Sequence, residues 1–482
     1  MHHLVNTTAL LIALDHPDAR GIPCTIGHDR CVLRVAPRAR AAARRSGWHA
    51  LEVEVVSNAG MEKHDGPPPS SPSSRVKAFY KSQHKHAPPT ILFLPTADPS
   101  THLSRLPDDI SLGDIVLPGT HQSLALHGWP FSQCQTAAST LPVQLADGIR
   151  FFDIRLRVKN GLLIAYHGPW PQRTLFPAVI DDVFTFLRAH PRETVITCIQ
   201  QESPDSGPDP RFSALVRLAM EDSIARGGWF LENRIPQLGE VRGRAVLMSR
   251  FGGSARDGGT QPWHDPPSDD DSDDDDDDEK SSGFPVVRMG WRPERWPYSA
   301  LDGFEWHDAT GGACRTQDWC EIYGFFNIGA KFTVASSRAP LVRRHMRPEL
   351  TPRVDRFPAH RPLDSLCLLL LLLLLSSSSS SSRRCLPPPA LTLSFASAAS
   401  LPLAPPPLVA HGFGLPSWGL GVRGVNARLR EWMLDRLATG QQAPEEGRLR
   451  GIVPVDYYHG AGLVDLMVAF NLCAIGRSGT RS

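Results

Sequence analysis

The chain has 482 residues and a formal net charge of +1, which is enough length for one large domain with an additional segment. A chain this close to neutrality lacks the basic excess that nucleic-acid-binding proteins use against phosphates, so we expect no nucleic-acid partner. Its nine cysteines have irregular spacing, and they predict neither a CxxC metal site nor a disulfide framework.

The first hundred residues predict two segments that lie outside the main domain. Residues 1–65 contain short alternating apolar runs, CVLRV and HALEVEVV, which predict a small β-rich appendage. Residues 66–100 are rich in Pro, Ser, Lys and His, which is typical of a linker. The N-terminus lacks the basic region and cleavage site of a signal peptide. The longest apolar run, Leu366–Leu375, is about half of a membrane span, so we expect no transmembrane helix and leave the compartment open.

Predicted strands and helices alternate from residue 101 onwards. The predicted strands are IVL, RFFDIRLR, LLIAYH, TVITCIQ and RAVLMSRF, and the predicted helices are Val143–Asp147, Thr174–His190 and Asp209–Arg226. Thr174 and Asp209 are the predicted N-caps of the two longer helices. This alternation predicts a parallel sheet with crossover helices.

Two stretches that are unlike folded protein interrupt this pattern. The acidic run Ser268–Glu279 predicts a solvated, self-repelling loop. Residues 338–388 contain eight consecutive leucines followed by a run of serines, which is typical of a low-complexity insertion or a translated intron. The main domain is therefore predicted in two parts, residues 101–335 and 390–475.

Two histidines at predicted strand ends are the main functional signal. His121 and His167 each follow an apolar run, and Asp153 and Arg155 lie on the strand between them. A neutral imidazole can take a proton from a hydroxyl, a protonated one can donate to a leaving oxygen, and a guanidinium can hold a phosphate bidentately. The alternative is a structural role, which is commoner for a single histidine. The combined arrangement favours phosphodiester chemistry.

Several sequence fragments, in the order in which they occur along the chain, resemble one enzyme family. They are LPGTHQS, SQCQT, QLADGIRFFDIRLR, YHGP, HPRETVITCIQQE, WFLENRIPQLGEVRGRAVLMSRFG, VRGVNARLREWMLDRL and GIVPVDYY. Together they resemble the X domain of phosphatidylinositol-specific phospholipases C in its bacterial and fungal form. The resemblance covers roughly residues 105–335 and 390–475.

The resemblance implies a distorted TIM (β/α) barrel with catalytic groups at the carboxyl ends of its strands. It implies that His121 removes the proton from the inositol 2-hydroxyl, which attacks its own phosphate, and that His167 protonates the departing diacylglycerol oxygen. It further implies that Arg155 holds the phosphate and that Asp456 orients the general base. The expected substrate is a phosphatidylinositol-like phospholipid at a membrane surface, cleaved by a phosphodiesterase of the lyase type.

The resemblance also identifies substrate-binding positions, some of which carry unexpected residues. Arg250 and Asp318 fall where relatives bind inositol hydroxyls. Cys320 replaces an expected tyrosine, and Gln200 replaces a lysine or a carboxylate. Gln122 replaces an aspartate that partners the acid histidine in relatives. A glutamine has no charge to stabilise imidazolium.

We therefore expect reduced activity unless Asp153 compensates for Gln122. Arg155 stands where calcium-dependent relatives have an acidic ligand, and a guanidinium repels a divalent cation. The sequence thus predicts a metal-independent enzyme without a cofactor. Two alternatives remain: a catalytically impaired protein that binds a phosphoester headgroup, and a glycerophosphodiester or sphingomyelin phosphodiesterase on a similar barrel.

Overall fold

The computed structural model describes most of the chain between residues 97 and 478, and five strands before that segment. The described residues are 22–26, 29–35, 47–57, 74–82, 90–94, 97–202, 207, 209–251, 289–338, 389–416, 420–442 and 449–478. The acidic run at 268–279 and the insertion at 339–388 lie outside the described residues. No helix in the described part is both long and apolar enough to cross a bilayer.

The N-terminal strands form one antiparallel meander in the order β1-β2-β3-β4-β5. Their bounds are β1 Ile22–Ile26, β2 Asp29–Val35, β3 Gly47–Ser57, β4 Ser74–Ser82 and β5 Thr90–Leu94. The last two strands fall inside residues 66–100, so the prediction of a linker there is wrong. Ala78 and Phe79 on β4 and Leu92 and Leu94 on β5 are buried despite the polar composition around them.

This sheet shares the core of the main domain. Trp48, Phe79 and Leu92 are buried in the same hydrophobic cluster as the outer face of the barrel. The indole nitrogen of Trp48 donates a 2.8 Å hydrogen bond to Asp435, and Lys77 forms a 2.6 Å ion pair with Asp465. The meander is therefore packed against the barrel helices.

Thirteen further strands form the main sheet and a separate hairpin. They are β6 Val116–Thr120, β7 Phe151–Lys159, β8 Leu162–His167, β9 Trp170–Leu175, β10 Val195–Gln201, β11 Trp229–Phe230, β12 Ala245–Arg250, β13 Ala300–His307, β14 Ala313–Asp318, β15 Leu391–Ser394, β16 Gly412–Leu415, β17 Leu420–Arg423 and β18 Gly451–Val455. The hairpin is β16-β17.

Eight of these strands are parallel neighbours, in the order β11-β12-β10-β7-β6-β18-β15-β14. Among the described residues, no strand pairing joins β11 at one edge of this sheet to β14 or β13 at the other edge. Loop contacts cross that gap instead, including the hydrogen bond from the Ala309 amide to the Asn233 carbonyl at 2.7 Å. The fold is a distorted TIM barrel, and the predicted fold class is confirmed.

One predicted parallel neighbour is in fact antiparallel. β8 pairs with β7 through the hairpin turn Asn160-Gly161, and both turn residues have positive φ, +53° and +75°. Asn-Gly is the residue pair that favours such two-residue hairpins. His167 therefore reaches the site from the end of a β-ribbon, whereas His121 follows a barrel strand directly.

Seven α-helices accompany the strands in the described part of the chain. They are α1 Leu141–Ala146, α2 Phe176–Ala189, α3 Phe212–Ala225, α4 Ile328–Arg338, α5 Pro406–His411, α6 Val425–Gln442 and α7 Leu463–Ser478. The predicted N-caps of α2 and α3 are wrong. Thr174 belongs to β9, and Asp209 accepts a 2.9 Å hydrogen bond from the Arg211 amide in a turn before α3.

Side chains along the parallel strands alternate between two hydrophobic cores, one between the sheet and the helices and one inside the barrel. Phe152 packs between the sheet and the helices, whereas Phe151 packs in the cluster inside the barrel. The same alternation holds for Val195 and Ile196. Because side chains on a strand alternate with period two, residues two and four positions after Phe151 also face the interior. The barrel interior is therefore apolar at its base and becomes polar towards the carboxyl ends.

Candidate active site

Side chains at the carboxyl ends of six barrel strands and of the ribbon strand β8 converge on one site. The register pairs Arg155 on β7 with Gln200 on β10, and Gln200 with Arg250 on β12. Val455 on β18 pairs with Thr120 on β6, so Asp456 and His121 follow these partners side by side. All nine predicted site residues lie at this end of the barrel, on or directly after β6, β7, β8, β10, β12, β14 and β18. Their roles remain predictions.

His121 and Asp456 form a hydrogen-bonded pair. Nδ1 of His121 is 2.8 Å from Oδ1 of Asp456. A carboxylate can only accept this hydrogen bond, so Nδ1 carries the proton and Nε2 has the lone pair. The exposed fraction is 12% for the His121 side chain and 2% for Asp456. The buried carboxylate thus fixes the tautomer that a general base needs.

Two further amides, which sequence reasoning missed, hold this pair in place. Nε2 of Gln135 donates to the carbonyls of His121 and Val455, both at 3.0 Å. Nδ2 of Asn426 donates to the carbonyl of Asp456 at 2.8 Å. Gln135 was visible in the SQCQT fragment, but nothing in its spacing showed that it bridges two strands.

The residues after His121 and Asp456 adopt a left-handed backbone conformation. Gln122 has a φ of +45° and Tyr457 a φ of +46°, although both are large residues that disfavour this region. Such conformations cost about 1–3 kcal/mol each and concentrate at functional sites. The strand ends therefore turn sharply, which leaves His121 and Asp456 facing into the barrel mouth.

Arg155 is surrounded by acceptors. Its guanidinium lies 3.3 Å from Asp153 and 3.4 Å from Glu202, and Nη2 is 3.2 Å from Nε2 of His121. The side-chain oxygen of Gln122, turned towards the guanidinium, accepts from Nε at 3.1 Å and Nη1 at 3.0 Å. The opposite amide orientation would set donor against donor, so we assign the oxygen to this face. Burial alone would lower the pKa of Arg155, but Asp153 and Glu202 raise it above its ordinary value.

Asp153 belongs to the His121 side of the site. It is fully buried and accepts a hydrogen bond from the Gln122 amide at 3.1 Å. Burial would raise the pKa of Asp153, but the charges of Arg155, His121 and Arg250 and the Gln122 amide together outweigh it, so the pKa lies below its usual range. Asp153 therefore remains ionised and balances the charge of Arg155. The described contacts do not join Asp153 to His167, so they do not support the predicted compensation.

His167 has a different environment. Its Nδ1 is 2.8 Å from the Ser132 carbonyl, which accepts the Nδ1 proton and leaves Nε2 towards the site. Burial lowers the pKa of His167 and Arg155 adds to this, whereas the Ser132 hydrogen bond and Glu202 oppose it. The imidazolium form that an acid needs is thus disfavoured by burial.

Gln200, Arg250 and Asp318 line the same mouth, and the first two have unused hydrogen-bonding capacity. Oε1 of Gln200 and Nη1 of Arg250 are buried without a hydrogen-bond partner. Arg250 stacks 3.7 Å from the ring centre of Trp296, whose indole nitrogen donates to Asp318 at 2.9 Å. Buried polar groups without partners are rare and need an explanation. A polar ligand in the mouth would supply it.

Sequence reasoning missed two charged residues near the site. Glu202 directly follows β10 and contacts Arg155 at 3.4 Å. Its position at the end of the fragment IQQE indicated a strand end, but nothing in the sequence indicated that it pairs with Arg155. Lys331 on α4 is fully buried and donates to the Trp319 carbonyl at 2.9 Å. Burial lowers the pKa of Lys331 to about 8.

The sequence of the chain is similar to those of one group of enzymes. The chain is 34% identical to a 1-phosphatidylinositol phosphodiesterase of Listeria monocytogenes over 154 residues, which are 30% of the chain and 47% of the relative. It is 27% identical to a Staphylococcus aureus protein of the same name over 167 residues, 32% of the chain and 52% of the relative. The resemblance to phosphatidylinositol-specific phospholipases C is confirmed.

This resemblance is partial in extent. The chain aligns with about half the length of these phospholipase C relatives, and no protein-family model matches it. Among solved structures, phosphatidylinositol-specific phospholipase C from Listeria monocytogenes has 18% identity and a TM-score of 0.46, covering 78% of this chain and 99% of that one. A Staphylococcus aureus phospholipase C structure has 18% identity and a TM-score of 0.47, with 78% and 98% coverage.

Proposed function

We propose that this protein cleaves phosphatidylinositol-like phospholipids by internal transfer to the inositol 2-hydroxyl. The observation that carries the proposal is the pair His121–Asp456, hydrogen-bonded at 2.8 Å with Nε2 of His121 beside the Arg155 guanidinium. A phosphate held by Arg155 would lie next to the atom that removes the hydroxyl proton. This is the geometry that an attack by a neighbouring hydroxyl on that phosphate requires.

The reaction needs two proton transfers. Nε2 of His121 takes the 2-hydroxyl proton, and Asp456 stabilises the resulting imidazolium through Nδ1. The 2-oxygen forms a bond to phosphorus while the bond to the diacylglycerol oxygen breaks, and that oxygen takes a proton from Nε2 of His167. The products are an inositol 1,2-cyclic phosphate and diacylglycerol. The Arg155 guanidinium offsets the charge that grows on the phosphate oxygens.

Exposed apolar side chains around the mouth support a lipid surface as the place of action. Trp129, Phe131, Trp170, Tyr323 and Phe326 are between 45% and 91% exposed. They belong to segments that follow the carboxyl ends of β6, β8 and β14. Clustered exposed aromatic residues are typical of surfaces that contact a membrane or a partner. The same end of the barrel thus carries both the histidines and a membrane-compatible rim.

A metal-independent reaction remains our proposal. Arg155 occupies the centre of the site, with Asp153 and Glu202 as its counter-charges, so both carboxylates are already engaged. A calcium ion there would face a guanidinium at short range.

The direct test is lipid cleavage by the full chain. We expect the phosphatidylinositol of mixed vesicles to yield an inositol cyclic phosphate, which phosphorus NMR detects. The rate of this cleavage should be the same with and without a chelator. Phosphatidylcholine vesicles are the control and should not be cleaved. Headgroup-dependent vesicle binding without turnover would favour the impaired binding protein instead, which Gln122 at the site supports. Chelator-sensitive cleavage of a choline or glycerol ester would favour the other barrel phosphodiesterases.

The replacement Gln122→Asp tests whether the missing carboxylate limits the acid step. Gln122 contacts Arg155, and burial and Arg155 lower the pKa of His167. A carboxylate at position 122 should raise that pKa, because it offsets the guanidinium and favours the imidazolium. An acid works only below its pKa, so the alkaline limb of the kcat profile should move to higher pH. For a limb that moves by one pH unit, turnover on its alkaline side should rise by up to about tenfold.

Gln122→Asn is the matched control, because asparagine has the shape of aspartate without its charge. It should leave the alkaline limb in place. An equal shift of the alkaline limb in Gln122→Asp and Gln122→Asn would contradict a limiting acid step. An equal gain in turnover of Gln122→Asp on substrates with alkyl and with aryl leaving groups would contradict it as well.

A further inference from the structure

A buried thiol lies between the two histidines of the candidate site. Sγ of Cys134 is 3.7 Å from Nδ1 of His167. One ligand atom each of His121, Cys134 and Asp456 lie within 4.8 Å of one another. In the part of the chain that the structure describes, no other three His, Cys, Asp or Glu side chains converge in this way.

The backbone around Cys134 holds this thiol in a fixed place. The Cys134 carbonyl accepts from the Tyr457 amide at 2.9 Å, and its own amide donates to the Ala125 carbonyl at 2.9 Å. The next residue, Gln135, donates to the Val455 carbonyl at 3.0 Å. The loop that carries the thiol is therefore tied directly to the strand end that carries Asp456. Such support is what holds ligating side chains in a preformed arrangement.

The three donors suit a borderline-soft divalent cation. Thiolate, imidazole and carboxylate are ligands of zinc, at distances of about 2.0–2.3 Å, which places neighbouring ligands of a tetrahedral ion about 3.3–3.8 Å apart. His121 Nδ1 and Asp456 Oδ1 are 2.8 Å apart, so they would separate by about 0.5–1 Å around the ion. Three protein ligands leave a fourth position open to water or to a phosphate oxygen.

We propose that His121, Cys134 and Asp456 form a binding site for a thiophilic divalent cation such as Zn²⁺, which inhibits the enzyme when bound. The inhibition rests on the proposed function; the binding does not. Coordination uses the lone pair of Nδ1 in the neutral ring, so the single ring proton of His121 moves to Nε2, while the thiol proton of Cys134 leaves to solvent. With Nε2 protonated, His121 cannot take the hydroxyl proton, so a bound ion blocks the first proton transfer.

Cobalt is the probe for binding, because a thiolate bound to Co²⁺ absorbs in the near ultraviolet. Titration of the full-length protein with Co²⁺ should give this band with one equivalent, and Zn²⁺ should abolish it by displacement. Cys134→Ser removes the soft ligand at nearly constant volume, so the band should disappear. Cys473→Ser is the control, because Cys473 is a half-buried thiol on α7, and it should keep the band.

Inhibition is measured in the vesicle assay, with each variant compared with its own metal-free activity. Wild type and Cys473→Ser should be inhibited by Zn²⁺ and recover with a chelator. Cys134→Ser should need at least about tenfold more Zn²⁺, as expected for the loss of about 1.4 kcal/mol of binding free energy. Asp456→Asn provides a second binding test by cobalt absorption should Cys134→Ser not fold.

Three results would overturn the proposal: no thiolate band in wild type, a band that survives in Cys134→Ser, or equal Zn²⁺ inhibition of wild type and Cys134→Ser. The last two would indicate adventitious metal at other histidines or cysteines. If wild type cleaves no lipid, the cobalt titration still decides the binding site, so the two proposals fail separately.

Discussion

Replacing His121 with alanine should lower kcat by about 10²–10⁴, the loss expected for one general acid–base group. The loss should be equally large for phosphatidylinositol and for an inositol phosphate ester of a nitrophenol. The reason is that His121, oriented by Asp456 at 2.8 Å, activates the attacking hydroxyl, a step that both substrates share. Single-turnover rates on the two substrates provide the measurement.

His167→Ala should separate the two substrates. A nitrophenolate can leave without being protonated, whereas the diacylglycerol alkoxide needs a proton from an acid. Only the kcat on phosphatidylinositol should therefore fall by the full factor of about 10²–10⁴. The variant should remain folded, because the His167 ring makes one described hydrogen bond to backbone, with Ser132. Full activity of either alanine variant with an unchanged circular dichroism spectrum would refute its assigned role. Equal losses on both substrates in His167→Ala would assign that residue to binding instead.

Readable strand ends brought His121, Asp153, Arg155 and His167 together in the prediction, because period-two alternation carries the inward face from Phe151 to Asp153 and Arg155. The other five predicted residues came from the family resemblance, and the roles of all nine remain predictions. Strand order could not be read from the apolar runs. The antiparallel ribbon that delivers His167 was nevertheless signalled by Asn160-Gly161, whose positive φ values match the preferred hairpin turn.

What the sequence could not give are contacts between residues distant in the chain. Glu202 reaches Arg155 across two neighbouring strands, and its local sequence is that of any strand end. The packing of β3 and β4 against the barrel helices depends on a few large residues, such as Trp48 on β3 and Phe79 on β4. Around β4 and β5 the sequence is rich in Ser, Lys and Pro, and this composition outweighed the few apolar residues and favoured a linker.

Arg155→Lys distinguishes a phosphate-binding role from a structural one. The planar guanidinium spans Gln122, Glu202 and Asp153, and a lysine ammonium cannot present two parallel donors to a phosphate. The loss of such stabilisation in the transition state typically costs about 10²–10³ in kcat. The positive charge beside Asp153 would persist, and the side chain at position 155 is 17% exposed, against 0% at Arg150, so water can replace some of the lost hydrogen bonds and the free energy of unfolding should fall less than in Arg150→Lys.

Arg150→Lys is the matched control, because Arg150 directly precedes the same strand at its amino end. Arg150 is fully buried, pairs with Glu193 at 2.9 Å and donates to backbone carbonyls including those of Leu145 and Ser100. Its replacement should lower the free energy of unfolding by about 1–3 kcal/mol through lost buried hydrogen bonds, while kcat per folded molecule stays unchanged. Arg155→Lys should show the opposite pattern, a large loss of kcat with a smaller loss of stability than in Arg150→Lys. If Arg155→Lys instead loses stability and keeps its turnover, Arg155 serves the buried charge of Asp153, and the phosphate must be held by another cation of the mouth, of which Arg250 is the nearest along the strand register.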